Sequence, residues 1–257
     1  MKKEIKILFK IQAVLKRCGY FDISRISREV LEYINEKNIS IESVLKEIES
    51  GKPWEYICNK ASFRDKTFFV NEDVLIPRVE TEQIVEIAKD NLDGIKNIVD
   101  VGTGSGCIII SLYKELGNKF NYIGIDISDK AISIAKRNDT DGYIKFVKGD
   151  LLDNIELNTP TLYIANLPYI PKEMYENLDR SVKDFEPKIA LSGGVDGLKY
   201  YKKLIKQIKN VNSILIMEVE PSTIPKLKDF THNLDLHIYK DIFGRERFIR
   251  LIPSPQV

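Results

Sequence analysis

At 257 residues the chain is long enough for one large domain or two unequal ones. Hydrophobic residues make up 43% and charged residues 30%, and 14 Gly with 10 Pro are too few for a disordered or collagenous chain, so a packed core is expected. Lys and Arg number 39 against 38 Asp and Glu, and a formal charge of +1 supplies no global field to gather a polyanion, which restricts any nucleic-acid role to a local patch.

Cys18, Cys58 and Cys107 lie far apart, without the paired spacing of a metal cage or a disulfide framework, so a reducing compartment and no bound metal are expected. Residues 1–6 are charged and run into an amphipathic stretch broken by Lys10, Gln12, Lys16 and Arg17, which does not read as a signal peptide. The most apolar run, 107–112, is far shorter than the roughly 20 residues that span a bilayer. A cytoplasmic protein without a membrane partner is expected.

In chain order, Ile5, Leu8, Ile11 and Leu15 recur at helical spacing, and Ile26, Val30, Tyr33 and Ile34 do so again after the candidate caps Asp22 and Ser24. A third helix over 41–48 follows Ser40 and ends before Gly51-Lys52-Pro53. Residues 1–50 therefore read as a small helical domain. Segments 56–63 and 67–70, parted by Arg64-Asp65-Lys66, are expected to pair as a β-hairpin within a linker over 51–76.

From residue 77 helix and strand alternate: helix 80–92, strand 97–101, helix 107–116, strand 122–126, helix 130–137, strands 144–147 and 162–165, helix 198–209, strand 214–219. Such alternation builds a parallel sheet with helices on both faces. The last two strands, 234–239 and 247–252, are joined by 240–246, too short for a crossover helix, so the final strand is expected to run antiparallel.

Strand 97–101 enters Gly102-Thr103-Gly104-Ser105-Gly106 and a helix leaves it, which puts the glycines at the strand-end edge where open α/β sheets bind ligands. In the dinucleotide fingerprint Gly-x-Gly-x-x-Gly the third glycine comes one residue later than here, which argues against a pyrophosphate. Beginning at Asp100, the loop resembles motif I of the class I S-adenosylmethionine-dependent methyltransferases. The next strand ends at Asp126, the position of the ribose-binding acid in that fold, and its two oxygens can accept both ribose hydroxyls. Phe146-Val147-Lys148-Gly149-Asp150-Leu151 resembles the segment that meets the adenine, Asp150 accepting from its amino group and Leu151 covering the ring. Taken singly, these features also fit a tight turn and solvated strand-end acids. At three successive strand ends, in this order, they point to a bound nucleoside cofactor.

The fourth strand runs into Asn166-Leu167-Pro168-Tyr169. A planar NH2 group conjugated to a carbonyl or a ring is a poor nucleophile, so an enzyme must orient it and favour charge build-up on nitrogen. The Asn166 side-chain oxygen and the Leu167 carbonyl can each accept one N–H, Pro168 stiffens the turn, and Tyr169 can pack on the planar group. The bland alternative is a turn that happens to hold Asn and Pro. The stretch resembles the Asn-Pro-Pro-Tyr motif of amino-group methyltransferases with Leu167 in place of the first proline, and it also resembles the motif of adenine-N6 dimethylases of ribosomal RNA.

Gly51-Lys52-Pro53-Trp54-Glu55-Tyr56-Ile57, 63–70, Val74-Leu75-Ile76-Pro77-Arg78-Val79-Glu80-Thr81-Glu82, 185–191 and Gly193-Gly194-Val195-Asp196-Gly197-Leu198 resemble the peptide chain release factor glutamine N5-methyltransferases over nearly the whole chain. The resemblance implies methylation, with S-adenosylmethionine, of the glutamine in the Gly-Gly-Gln loop of class I release factors. It also implies an α/β fold: a Rossmann-like class I methyltransferase domain over 77–257, with a seven-stranded, mostly parallel sheet, a small all-helical domain that grips the release factor, and the hairpin linker. No nucleic acid is required, and a monomer is expected. Val79 stands where the linker usually has a second proline, and Glu220 where Glu-x-Gly is usual.

Arg78 and Glu80 can shape the substrate entrance or form a linker ion pair, and Glu186-Pro187 can line the same mouth or turn the chain. His232 and His237 read as solvated, Trp54 as a packing anchor, and the basic residues Lys2, Lys3, Lys6, Lys10, Lys16 and Arg17 of the first helix as a wet face. The rival functions are an adenine-N6 methyltransferase of DNA or RNA and a non-catalytic S-adenosylmethionine-binding protein.

Overall fold

The computed structural model describes residues 2–153, 155–209 and 212–253. The chain up to Lys60 and the inserted segment Asp179–Phe185 form one compact unit, while Ala61–Leu178 and the chain from Glu186 onward form the other.

The first unit is built on α1 (Lys2–Arg17), α2 (Ile23–Lys37), α3 (Ile41–Glu49) and the short α4 (Trp54–Cys58). Asp22 starts α2 by accepting from the Arg25 N–H, and Asn38 ends it in the left-handed conformation. Ser40 starts α3 in the same way through the Ser43 N–H. Ile11, Leu15, Val30, Ile34, Val44, Ile48 and Trp54 interlock as this unit's own core. Trp54 is the anchor that its position promised: it is buried, the Tyr33 ring meets it edge-on at 5.5 Å, and its indole N–H donates to Glu29 at 2.8 Å. On the wet face of α1, Lys10 pairs with Glu42 and Arg17 with Glu49. The side chains of Lys2 and Lys3 lie outside the described residues.

The hairpin consists of β1 (Lys60–Phe63) and β2 (Lys66–Phe69), so the strand expected from residue 56 begins four positions later. Trp54, Ile57 and Cys58 are spaced one helical turn apart, Pro53 supplies a starting φ of −56°, and Asn59 stops the turn at φ 56°. Strand alternation sets in only with Ala61 and Phe63, which turn inward while Lys60 and Ser62 turn out.

The second unit continues with α5 (Glu82–Lys89), β3 (Asn97–Val101), α6 (Cys107–Leu116), β4 (Asn121–Asp126), α7 (Asp129–Asn138), β5 (Lys145–Lys148) and β6 (Thr161–Ala165). After it come α8 (Lys172–Glu176), α9 (Arg180–Lys183, within the inserted segment), α10 (Lys188–Leu191), α11 (Lys199–Gln207), β7 (Ile214–Glu218), α12 (Ile224–Phe230), β8 (Asp235–Lys240) and β9 (Glu246–Ile252). The seven strands from β3 onward form one sheet of order β5-β4-β3-β6-β7-β9-β8. β3, β4, β5, β6 and β7 run parallel, and β9 lies antiparallel between β7 and β8, as the short final connection required.

Both central strands, β3 and β6, are buried at every position, as strands covered on both faces must be. Alternation splits their side chains between two cores. Ile98, Leu162, Ile164 and Ile216 pack on one face with α5 and α6, and Val99, Val101, Tyr163 and Met217 pack on the other with α11 and α12.

One side chain ties the hairpin to the glycine loop after β3. Asn138, the last residue of α7, accepts from the Phe69 N–H at 2.8 Å, donates to the Phe69 carbonyl at 3.0 Å and donates to the Ser105 carbonyl at 2.9 Å. Asn138→Ala removes all three bonds from partly buried backbone and is expected to lower unfolding free energy by about 2–3 kcal/mol in a urea titration, and Asn138→Asp, whose second oxygen would face the Phe69 and Ser105 carbonyls, should be no less destabilising.

Candidate active site

The loop after β3 takes its shape from three glycines and the strand beside it. Gly102, Gly104 and Gly106 all have positive φ, at 77°, 55° and 81°, which a side chain resists. The Gly102 and Thr103 N–H groups both donate to the Ile125 carbonyl at 2.8 Å, and Gly106 caps α6. A Cβ on Gly102 would lie 2.8 Å from Leu167, so this glycine also lets the loop after β6 close upon the first loop.

Asp100 lies beneath this loop. It is buried, its Oδ2 accepts from the Thr103 hydroxyl at 2.7 Å, and its Oδ1 has no partner. Burial pushes its carboxyl up to about 7 against the pull of the Thr103 hydroxyl, and Asp126 adds to the rise. Asp126, at the end of β4, accepts from the Gly104 N–H on one oxygen and the Ser128 N–H on the other, both at 2.9 Å. Burial raises its carboxyl above the ordinary range while the backbone N–H groups hold it down.

These residues open on one cleft. Gly102, Thr103, Gly104, Ser105, Asp126, Asp150, Leu151, Asn166, Leu167, Pro168 and Arg78 line it together, and Asp100, Gly106, Tyr169 and Glu80 are not among the lining residues. The glycine cradle and the Asp126 carboxylate, both in the lining, fit a cofactor that carries a ribose. Asp150 lies on the rim, its Oδ2 paired with Lys203 at 2.6 Å, and Leu151 is held at φ 57° with its side chain buried. Cys107, also in the lining, has its thiol pushed up to about 12 by burial and is no nucleophile. Among the described residues no group of three or more His, Cys, Asp or Glu could hold a metal ion, and no helix is long and apolar enough to cross a membrane.

Parallel pairing brings the acceptor loop to the same edge, because Val101 lies opposite Ile125 of β4 and Ala165 of β6. The Asn166 side-chain N–H donates to the Thr81 hydroxyl at 3.2 Å, and that hydroxyl donates to Glu218 at 2.7 Å. The Leu167 N–H donates to the Tyr201 hydroxyl at 3.0 Å. The Tyr201 hydroxyl also lies against two carbonyls, those of Glu218 and of Leu167, the latter at 3.2 Å, so the Leu167 carbonyl has a buried hydroxyl beside it and only its second lone pair is left for another donor. Tyr169 donates to the Glu218 carboxylate at 3.1 Å, and its phenol is raised far above the usual value by burial and by that charge. Arg247 stands 3.7 Å from the same carboxylate and is itself held by Asp241 at 3.0 Å.

Arg78 forms an ion pair with the buried Glu186, whose second oxygen accepts from the Ile76 N–H at 3.4 Å. This pair joins the segment before α5 to the segment that carries Ile189 and Ala190 into the cleft wall. Glu80 is half-buried and outside the lining; burial raises the Glu218 carboxyl, and the Glu80 charge adds to that rise. Gly193 explains its motif by close approach: a Cβ there would lie 2.7 Å from the Pro168 carbonyl, and its N–H donates to Ile170 at 2.9 Å. Sequence reading assigned no role to Thr81, Glu218 or Tyr201. Thr81 and Glu218 sit inside segments that the family resemblance covers, but a hydrogen-bond chain between residues 137 positions apart leaves no local pattern. His232 and His237 are exposed, as expected.

The raised Asp100 carboxyl has a stability consequence of definite sign. The folded protein keeps a proton that the unfolded chain, at the ordinary value of 3.8, has already released, so stability falls as pH rises from about 4 to about 7 and levels off above. The protein without cofactor should therefore lose melting temperature between pH 5 and pH 8, and Asp100→Asn should lose less. Parallel losses in the two proteins would show that this carboxyl does not titrate there.

A family model for a methyltransferase domain matches residues 92–179. The release factor glutamine methyltransferase of Flavobacterium psychrophilum is 33% identical over 270 residues, which cover 97% of this chain and 92% of that protein. Those of Dictyoglomus turgidum and Bacillus subtilis are 35% and 34% identical, covering 86% and 77% of this chain and 83% and 75% of their own lengths. Among solved structures, the hMettl16 catalytic domain in complex with the MAT2A 3'UTR hairpin 6 superposes with a TM-score of 0.58 at 17% identity, over 74% of this chain and 76% of that one. The E. cuniculi Mtq2–Trm112 complex, described as responsible for methylating the eRF1 translation termination factor, gives 0.52 at 18% identity over 71% and 99%. At these identities the two structures share the fold, a class I methyltransferase sheet with its helices. The curated relatives extend across the hairpin, the glycine loop and the Asn166 loop alike, and on that near-complete similarity the chain belongs to the release factor glutamine methyltransferase family.

Proposed function

We propose that the protein transfers a methyl group from S-adenosylmethionine to the side-chain amide nitrogen, N5, of the glutamine in the Gly-Gly-Gln motif of class I peptide chain release factors. The observation that carries this reading is the shared cleft. Asn166 and Leu167, the residues that carry the two candidate amide acceptors, line the same space as the glycine loop and Asp126. The names of the curated relatives support the substrate, since each is a release factor glutamine methyltransferase.

Bound in the cleft, S-adenosylmethionine supplies a methyl group activated by a positively charged sulfur. The glycine loop and Asp126 hold it, with Asp150 and Leu151 at the adenine end and the carboxyl of Asp100 beneath the loop. Asn166 and Leu167 accept one N–H each from the glutamine amide, turning the nitrogen toward the methyl group and favouring the positive charge that grows on it. Pro168 fixes the turn between them, and Arg78 lines the approach. Tyr169 supports the loop from behind, through its bond to Glu218. As nitrogen gains the methyl it becomes acidic, so water can take the proton and no strong base is needed. The helical unit grips the release factor, and the protein works as a cytoplasmic monomer.

Purified release factor treated with the protein and S-adenosylmethionine should gain the mass of one methylene on its Gly-Gly-Gln peptide. Asn166→Ala should lower kcat/KM about 100-fold or more while leaving cofactor affinity nearly unchanged. Normal turnover by that variant would remove the amide clamp. Label entering only adenine bases of nucleic acid would replace the substrate.

A further inference from the structure

We propose that Thr81 and Glu218 are positioning residues that set which way the Asn166 amide faces, holding its nitrogen inward so that its oxygen is presented to the cleft. The inference rests on the proposed function for its consequence in turnover, but its structural content does not. An asparagine amide has two ends of nearly equal size and opposite polarity, and only the oxygen can accept from a substrate NH2 group. Shape alone does not choose between them. The choice falls to the polar atom beside the amide, which here is the hydroxyl of Thr81, a buried residue in the cleft wall, 3.2 Å from the Asn166 nitrogen.

A hydroxyl has one proton, and that of Thr81 goes to Glu218 at 2.7 Å. What Thr81 turns to Asn166 is therefore lone pairs, which demand a donor, and the nitrogen is the donor. The polarity of Thr81 is set by Glu218 in turn. This side chain is buried, sits at the C-terminal end of β7, and takes Tyr169 on its other oxygen at 3.1 Å, with Arg247 at 3.7 Å. Burial raises this carboxyl, but with Thr81, Arg247 and Tyr169 all favouring its charged form the ionised carboxylate acts as acceptor and takes the Thr81 proton. Two strand ends and the start of α5 thus carry one direction of hydrogen bonding outward: Glu218 from β7, Thr81 ahead of α5, Asn166 after β6. Burial of both Thr81 and Glu218 excludes the water that would otherwise let either end of the amide face inward.

The test uses the full-length protein with release factor as acceptor and S-adenosylhomocysteine as cofactor probe. Thr81→Val keeps the shape and removes the hydroxyl, Glu218→Gln keeps the shape and can donate to Thr81, and Thr81→Ser keeps the hydroxyl. The first two should lower kcat/KM roughly tenfold or more, with the dissociation constant of the probe within about twofold of wild type, and Thr81→Ser should restore most of the turnover. Turnover by Thr81→Val within about twofold of wild type, or a Thr81→Ser protein as poor as Thr81→Val, would overturn the inference. A readout without turnover separates this from failure of the proposed function. The side-chain NH2 resonance of Asn166, identified by its loss in Asn166→Ala, should shift in Thr81→Val and Glu218→Gln, and an unchanged signal would overturn the inference whatever the acceptor proves to be.

Discussion

The site depends on the parallel pairing of β3 with β4 on one side and β6 on the other. With Val101 level with both Ile125 and Ala165, the chain leaves all three strands at one height, and the glycine loop, Asp126 and Asn166 are delivered to one edge although 66 positions separate the first of them, Asp100, from the last. Antiparallel pairing of any of these strands would send its loop to the opposite edge. The two apolar cores hold this register, since sliding one strand by one residue would turn Ile164 or Val99 to the wrong face.

A buried polar system lies directly behind that edge. Thr81, Tyr169, Glu218, Arg247 and Asp241 form a continuous set of hydrogen bonds and ion contacts in which each charged group faces a partner. Such a set costs desolvation and adds little net stability, but it admits few alternative arrangements and so fixes the acceptor loop that rests on it. Tyr201 does the same for Leu167 from the other core. The glycine loop has a different support, the three bonds of Asn138, which tie it to the hairpin and to the end of α7.

Much of this was legible in the sequence where the signal was local. The alternation from Asn97 to Glu218 set out the sheet, the short final connection gave the antiparallel β9, and the glycine spacing with Asp126 marked the sheet edge on which the cleft opens. The start of the hairpin was misread because Tyr56 and Ile57 look like strand residues, while Pro53 and the spacing of Trp54, Ile57 and Cys58 favour a helical turn. The short helices α8, α10 and α12 went unread, since four to seven residues hold too little periodicity to register. Asp150 was read as an adenine acceptor, yet its side chain also pairs with Lys203, a partner 53 positions away. The Thr81–Glu218 connection was invisible for the same reason: it is a contact made by the fold, between residues whose types alone suggest a helix cap and a strand end.

The central claim is that Asn166 and Leu167 accept the two protons of one flat amide in front of the cofactor. A crystal structure of the protein with S-adenosylhomocysteine and a Gly-Gly-Gln peptide tests it most directly. The glutamine nitrogen should lie within hydrogen-bond distance of both the Asn166 side-chain oxygen and the Leu167 carbonyl, with its lone-pair direction aimed at the cofactor sulfur. A glutamine bound elsewhere, or an Asn166 whose nitrogen faces the peptide, would contradict it.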